Sequence, residues 1–246
     1  MQNFRPNTSS IPPVVKNLII INVLMLLASY VMELKGIDLA NILGLHYIQS
    51  TEFRPYQLVT HLFMHGGLMH LAFNMFALWM FGRILESVWG PKRFFIFYFV
   101  TGLGAAIFYS MVNYVEFQYI ASKMNHEDVQ LVMTQGTELF NQGKNFIDPL
   151  AGKLNLLLNV PTVGASGAVF GVLLGFGMLF PNTELMLLFP PIPIKAKYFV
   201  LGYGAIELFM GVTGNEANVA HFAHLGGMLF GFLMIKYWNR HDKNFY

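Results

Sequence analysis

Residues 164–171 read Gly-Ala-Ser-Gly-Ala-Val-Phe-Gly and open an uncharged apolar run that continues to Pro181. A run of this kind, about 163–181, suits a helix crossing hydrocarbon, which takes roughly 20 residues. Its serine lies between glycines, where backbone and substrate can approach a nucleophile closely. Two other stretches share the same mixture. Residues 61–74 read His-Leu-Phe-Met-His-Gly-Gly-Leu-Met-His-Leu-Ala-Phe-Asn, and residues 220–227 read Ala-His-Phe-Ala-His-Leu-Gly-Gly. Polar groups inside apolar spans are expensive and usually face a cavity or a partner. Together the three stretches describe a membrane enzyme with one serine and several histidines gathered inside the bilayer.

Composition agrees. The chain of 246 residues is 55% hydrophobic and 11% charged, against about 25% charged in an ordinary soluble domain. With no cysteine, disulfides, thiol nucleophiles and thiolate metal sites are excluded. A net charge of +2 is too small to point to nucleic acid. The segment up to Ile11 carries Arg5 but no apolar core and no small-residue cleavage site. No cleavable signal is expected, and the first apolar segment should remain as an anchor.

The fold class expected is all-α: a polytopic membrane bundle of six transmembrane helices, at about 15–33, 61–82, 93–114, 163–181, 197–214 and 218–237. The expected division is a short cytoplasmic segment 1–14, a membrane domain 15–237 and a cytoplasmic tail 238–246. Asn17 and Asn22 weaken the first span, and the fifth contains Glu207. With the N-terminus inside, ten Lys and Arg fall on inner segments and five on outer ones, three of those five in one long loop. Positive charge inside therefore favours two cytoplasmic termini. That outer loop covers about 115–160. Val129, Val132, Met133, Leu139 and Phe140 recur at near-helical spacing there, interrupted by Gly136, and suggest a helix lying on the outer leaflet. Pro190, Pro191 and Pro193 stiffen the inner connection between spans four and five.

This orientation gives the polar residues a common depth. Spans two, four and six all run from outside to inside. Ser166 then lies just below the outer end of span four, His221 and His224 one to two turns down span six, and His70 and Asn74 two to three turns down span two. Small residues every fourth position let membrane helices pack closely. Span four carries Gly167, Gly171 and Gly175, and span six carries Ala223, Gly227 and Gly231. If these stripes face each other, Ser166 and His224 meet at hydrogen-bond distance, the contact that activates a hydroxyl. His70 and Asn74, four apart, share a helix face and can both donate hydrogen bonds, as an oxyanion site requires. His65, five residues before His70, should point about 140° away, toward the outer loop, while His61 sits at the interface. Phe170, one turn below Ser166, either stacks on the His224 ring or packs in the core. Glu86, between Gly82 and Gly90, should tie down the inner end of span two. Glu207 either orients His224 as a third member or faces water near the outer end of span five.

Gly164-Ala165-Ser166-Gly167, the His65-to-Asn74 run with His70-x-x-x-Asn74, and Ala223-His224-Leu225-Gly226-Gly227 resemble the rhomboid intramembrane serine proteases. The resemblance runs from about residue 55 to 235, in motif order, and Gly82, Glu86 and Gly90 match a further family pattern. It implies a six-helix rhomboid bundle and a dyad without a carboxylate, carried by Ser166 and His224. It also implies an oxyanion site from His70, Asn74 and the backbone N–H of Ser166, with Gly164, Gly167, Phe170 and Gly227 in support. No cofactor and no metal are implied. The implied reaction is hydrolysis of a peptide bond in or beside a transmembrane helix, usually after a small residue, with membrane-protein substrates entering sideways from the bilayer near span five. The implied setting is a bacterial inner membrane, with the site opening to the outer face. Many members carry Trp-Arg in the first outer loop, where this chain has Tyr56-Gln57, and the 115–160 loop is longer than in compact members.

Two other readings remain open on the sequence. One is a non-catalytic relative that binds transmembrane helices, although such relatives typically lose the serine or the histidine. The other is a histidine-box metal enzyme using His61, His65, His70, His221 and His224; no His-Glu-x-x-His is present.

Overall fold

The computed structural model describes residues 11–186, 191–213 and 221–241. Most of the N-terminal segment, Pro190, the first residues of the expected sixth span and the tail from Asp242 lie outside them.

Helix α1 (Pro13–Glu33) starts at a proline, whose missing N–H suits a first turn. Two of its free N–H groups find an acceptor elsewhere. Glu86 takes Val14 N–H on Oε1 at 2.9 Å and Val15 N–H on Oε2 at 2.8 Å. Short helices α2 (Leu39–Leu43) and α3 (Gln57–Thr60) follow, with a 3₁₀ turn over His61–Phe63. The second long rod, Leu68–Trp89, joins α4 (Leu68–Ala77), a π-helical turn (Leu78–Gly82) and α5 (Arg83–Trp89). It begins later than the expected residue 61. Gly66 and Gly67 break the chain, and Gly67 at φ 155° is outside any helical conformation.

Helix α6 (Pro91–Ala121) has 31 residues, roughly 46 Å at 1.5 Å per residue, against about 30 Å of hydrocarbon. Its surplus carries Phe117 and Ile120 into a second apolar cluster with Tyr47 and two further helices. These are α7 (His126–Asn141) and α8 (Pro149–Asn159), so the long loop holds a helical hairpin instead of the single surface helix expected. Gly136 does not interrupt it. A Cβ there would lie 2.2 Å from Asn155 Oδ1, so the glycine is what allows the two helices to cross. Asp148 caps α8, its Oδ1 accepting from the N–H groups of Leu150 and Ala151 at 3.0 and 2.8 Å.

Helix α9 (Ser166–Leu179) is the axis of the bundle. It is apolar on every side and mostly buried, the pattern of a helix enclosed by others. After it come a short antiparallel pair, β1 (Glu184–Met186) and β2 (Pro193–Lys195), with Glu184 opposite Lys195. Helices α10 (Ala196–Thr213) and α11 (His221–His241) complete the order. Each of the six expected spans thus holds helix. Among the described residues three of these, α1, the Leu68–Trp89 rod and α6, have both the length and the hydropathy to cross a membrane. The protein is an integral membrane protein with an all-α bundle, and exposed apolar side chains such as Leu24, Leu27, Leu201 and Phe209 suit a hydrocarbon surround.

The glycine stripes work across three helices, where two had been expected. A Cβ on Gly227 of α11 would fall 1.8 Å from the Gly167 carbonyl oxygen, and one on Gly231 3.3 Å from that of Gly171. The stripe of α11 therefore lies against the backbone of α9. The α9 glycines instead admit α6: Cβ atoms on Gly167 and Gly171 would lie 2.5 Å from the Cβ atoms of Ala105 and Thr101. An α9 buried all round needs small residues toward more than one neighbour.

Candidate active site

Two features of the local chain place the start of α9. Leu45 and Thr162 exchange both backbone hydrogen bonds at 2.8 Å, and Gly164 N–H donates to His61 O at 3.0 Å. Gly164 has φ +132°, and a Cβ on it would lie 2.9 Å from His70 Cε1 and Nε2. Glycine is required there for conformation and for space. His61 is buried within the protein, with Nδ1 2.8 Å from Gln57 O.

Ser166 is the first residue of α9, so its N–H belongs to the first turn, which lacks intrahelical partners. The Ser166 hydroxyl lies 2.9 Å from Nε2 of His224, one turn into α11. On the other edge of that ring, His224 Nδ1 is 2.8 Å from Glu207 Oε2. The same oxygen is 2.7 Å from His221 Nδ1. A carboxylate only accepts, so both Nδ1 atoms carry protons and His224 Nε2 is left as an acceptor for the serine O–H. Glu207 does not face water: it is 6% exposed.

The plane of His224 is fixed as well. Phe170 stacks on it with ring centroids 4.1 Å apart and planes within 5°, and Tyr203 of α10 stacks on Phe170 at 5.2 Å. Phe170 is both core packing and a platform for the histidine.

His70 and Asn74 lie across the same cavity, of about 800 Å³, which Ser166, Phe170, Tyr203 and His224 also line. Gly66 N–H donates to His70 Nδ1 at 3.4 Å, which leaves Nε2 to carry the proton and face Gly164. Asn74 donates one N–H to His70 O at 2.9 Å and has a second to offer. His65 corrects the expectation of a ring aimed elsewhere. Its ring meets the edge of His70 at 5.0 Å, because residues 65–67 are not helical and the 140° angle does not apply.

Sequence reasoning missed Gln57. Its side chain is 1% exposed. Oε1 accepts from His46 and Arg54 N–H, and Nε2 donates to Ile42 and Glu52 carbonyls. In the position where many resembling proteins have Trp-Arg, this chain has a buried amide that ties the outer loop together. Every one of its partners is a backbone group, so residue type alone carried no signal.

Glu207, His221 and His224 form the one group among the described residues whose ligand atoms are spaced for a metal, all within 4.8 Å. The 2.7 and 2.8 Å separations suit N–H···O bonds to one carboxylate oxygen. His61, held by Gln57 O, is not part of the group.

A family model of the Rhomboid domain matches residues 52–240. "Rhomboid protein 1, mitochondrial" of Saccharomyces cerevisiae is 27% identical over 70% of this chain and 38% of its own length. "Rhomboid protease AarA" of Providencia stuartii is 26% identical over 70% of this chain and 51% of its own. For "Rhomboid protease GluP" of Bacillus subtilis the identity is 25%, over 72% of this chain and 25% of its own. The chain thus spans about half or less of the length of these relatives.

Proposed function

The chain belongs to the rhomboid family, and from that premise we propose that it is an intramembrane serine endopeptidase cleaving transmembrane segments of other membrane proteins. The observation carrying this reading is the 2.9 Å contact between Ser166 Oγ and His224 Nε2 at the wall of a cavity. Ser166 Oγ attacks the scissile carbonyl carbon as His224 Nε2 takes the hydroxyl proton. The new oxyanion is met by N–H donors from His70, Asn74 and the Ser166 backbone. His224 returns the proton to the leaving amine as the C–N bond breaks, leaving an ester on Ser166. Water, deprotonated by the same nitrogen, hydrolyses that ester.

A nucleophile inside a membrane needs water, and α9 supplies a reason it has some. With 14 residues the helix reaches roughly 21 Å, short of about 30 Å of hydrocarbon. With its other end at the inner surface, its serine end would sit below the outer surface. Orientation with both termini cytoplasmic rests on the Lys and Arg distribution. The setting in a bacterial inner membrane rests only on the compact six-span layout, and the relatives include mitochondrial as well as bacterial proteins.

A fluorophosphonate probe tests the nucleophile directly. Wild type takes the label on Ser166, Ser166→Ala takes none, and His224→Ala is slowed by about 100-fold or more. Labelling at another residue, or at a rate indifferent to His224, rejects the assignment.

A further inference from the structure

Glu207 occupies a position that a serine–histidine dyad does not call for. It stands on α10, in an otherwise uncharged stretch from Tyr198 to Thr213, and a carboxylate in such surroundings persists only with partners. Its partners are both histidines of α11: His221 Nδ1 at 2.7 Å and His224 Nδ1 at 2.8 Å, on one oxygen. Glu207 does not line the cavity that holds Ser166 and His224, although Tyr203 and Met210 of the same helix do. It can reach the reacting atoms only through a histidine.

Resting on the protease reading above, we propose that Glu207 is a positioning residue that makes the site a Ser166–His224–Glu207 triad, in which His221 holds the carboxylate in place. The ring of His224 has two ways to move. Stacking on Phe170 fixes its plane, and the bond to Glu207 fixes its rotation within that plane. The same bond keeps the proton on Nδ1, so that Nε2 faces Ser166 as a base, not as a second N–H. When Nε2 takes the serine proton the ring becomes a cation, and a carboxylate 2.8 Å from Nδ1 stabilises that charge before it is passed to the leaving amine. His221 donates to the same oxygen from α11 at nearly a right angle to the His224 ring, so the carboxylate cannot swing away without losing both bonds.

The test uses full-length protein in detergent and in liposomes, with wild type, Glu207→Gln, Glu207→Asp and Ser166→Ala assayed on one single-span substrate. Glu207→Gln lowers kcat by roughly 10- to 100-fold, the worth of a hydrogen bond to a charged group, with KM unchanged because residue 207 does not touch the cavity. Glu207→Asp, which keeps the charge, recovers part of that loss. Histidine ¹⁵N spectra read the tautomer: His224 is Nδ1–H in wild type and becomes mixed in Glu207→Gln. An unchanged kcat and an unchanged tautomer in Glu207→Gln overturn the inference, and so does a loss confined to KM or to melting temperature. Failure of wild type itself to cleave or to label at Ser166 rejects the protease reading instead, and the two failures are read separately.

Discussion

Among the described residues two glutamates are buried inside this bundle, and they are built alike. Glu86 is 2% exposed and Glu207 6%, and each accepts two N–H groups from another helix. The donors differ. Glu86 receives the backbone amides that open α1, which do no acid–base chemistry at neutral pH, and neither they nor Glu86 line the cavity that holds Ser166. Glu207 receives two imidazoles, one of which touches Ser166. Burial of a carboxylate in an apolar span is thus not itself a mark of chemistry. The nature of the partner decides: an amide makes the carboxylate a helix cap, and an imidazole makes it a means of setting a tautomer.

The largest expected effect lies at the end of the chain of contacts that only Glu207 joins. Ser166→Ala and His224→Ala should each abolish cleavage while the protein stays folded and soluble in detergent; wild-type rates in either would end the comparison at once. Next come the donors across the cavity. His70→Ala or Asn74→Ala should lower the rate by ~10²–10³, the smaller figure applying if the remaining donors compensate. Unchanged rates in both variants would remove the oxyanion assignment.

Glu86→Gln sharpens the contrast from the other side. A glutamine keeps one acceptor and leaves one buried N–H of α1 without a partner, at about 1–3 kcal/mol. Thermal unfolding should fall by several degrees, with kcat per folded molecule unchanged. A fall in kcat without a fall in stability would show that the two glutamates are not different in kind. The smallest effect on the site is expected from Gly136→Ala, which pushes against Asn155 across the α7–α8 crossing and should weaken that hairpin without altering labelling of Ser166.

The meeting of Ser166 and His224 follows from quantities a sequence carries: span direction, depth counted from the same end, and small residues at every fourth position. The two-glutamate contrast does not. Whether Glu207 meets a histidine or water depends on the rotation of α10 about its axis, which no spacing within α10 specifies. His65 escaped for a related reason, since an angle computed along an unbroken helix fails where Gly66 and Gly67 interrupt it. Gly136 looked like a break because a glycine lowers helix propensity, yet it marks the closest approach of two helices. Gln57 was invisible because its four hydrogen bonds all go to backbone groups brought near by the outer loop.

The most direct measurement is cleavage of a single-span substrate carrying small, helix-weakening residues, by purified protein in liposomes, with products identified by mass spectrometry and Ser166→Ala run alongside. The expected result is one defined cut in or beside the transmembrane segment, made by wild type and absent from Ser166→Ala. The same cut made by both proteins would contradict the assignment of this chain as a serine endopeptidase.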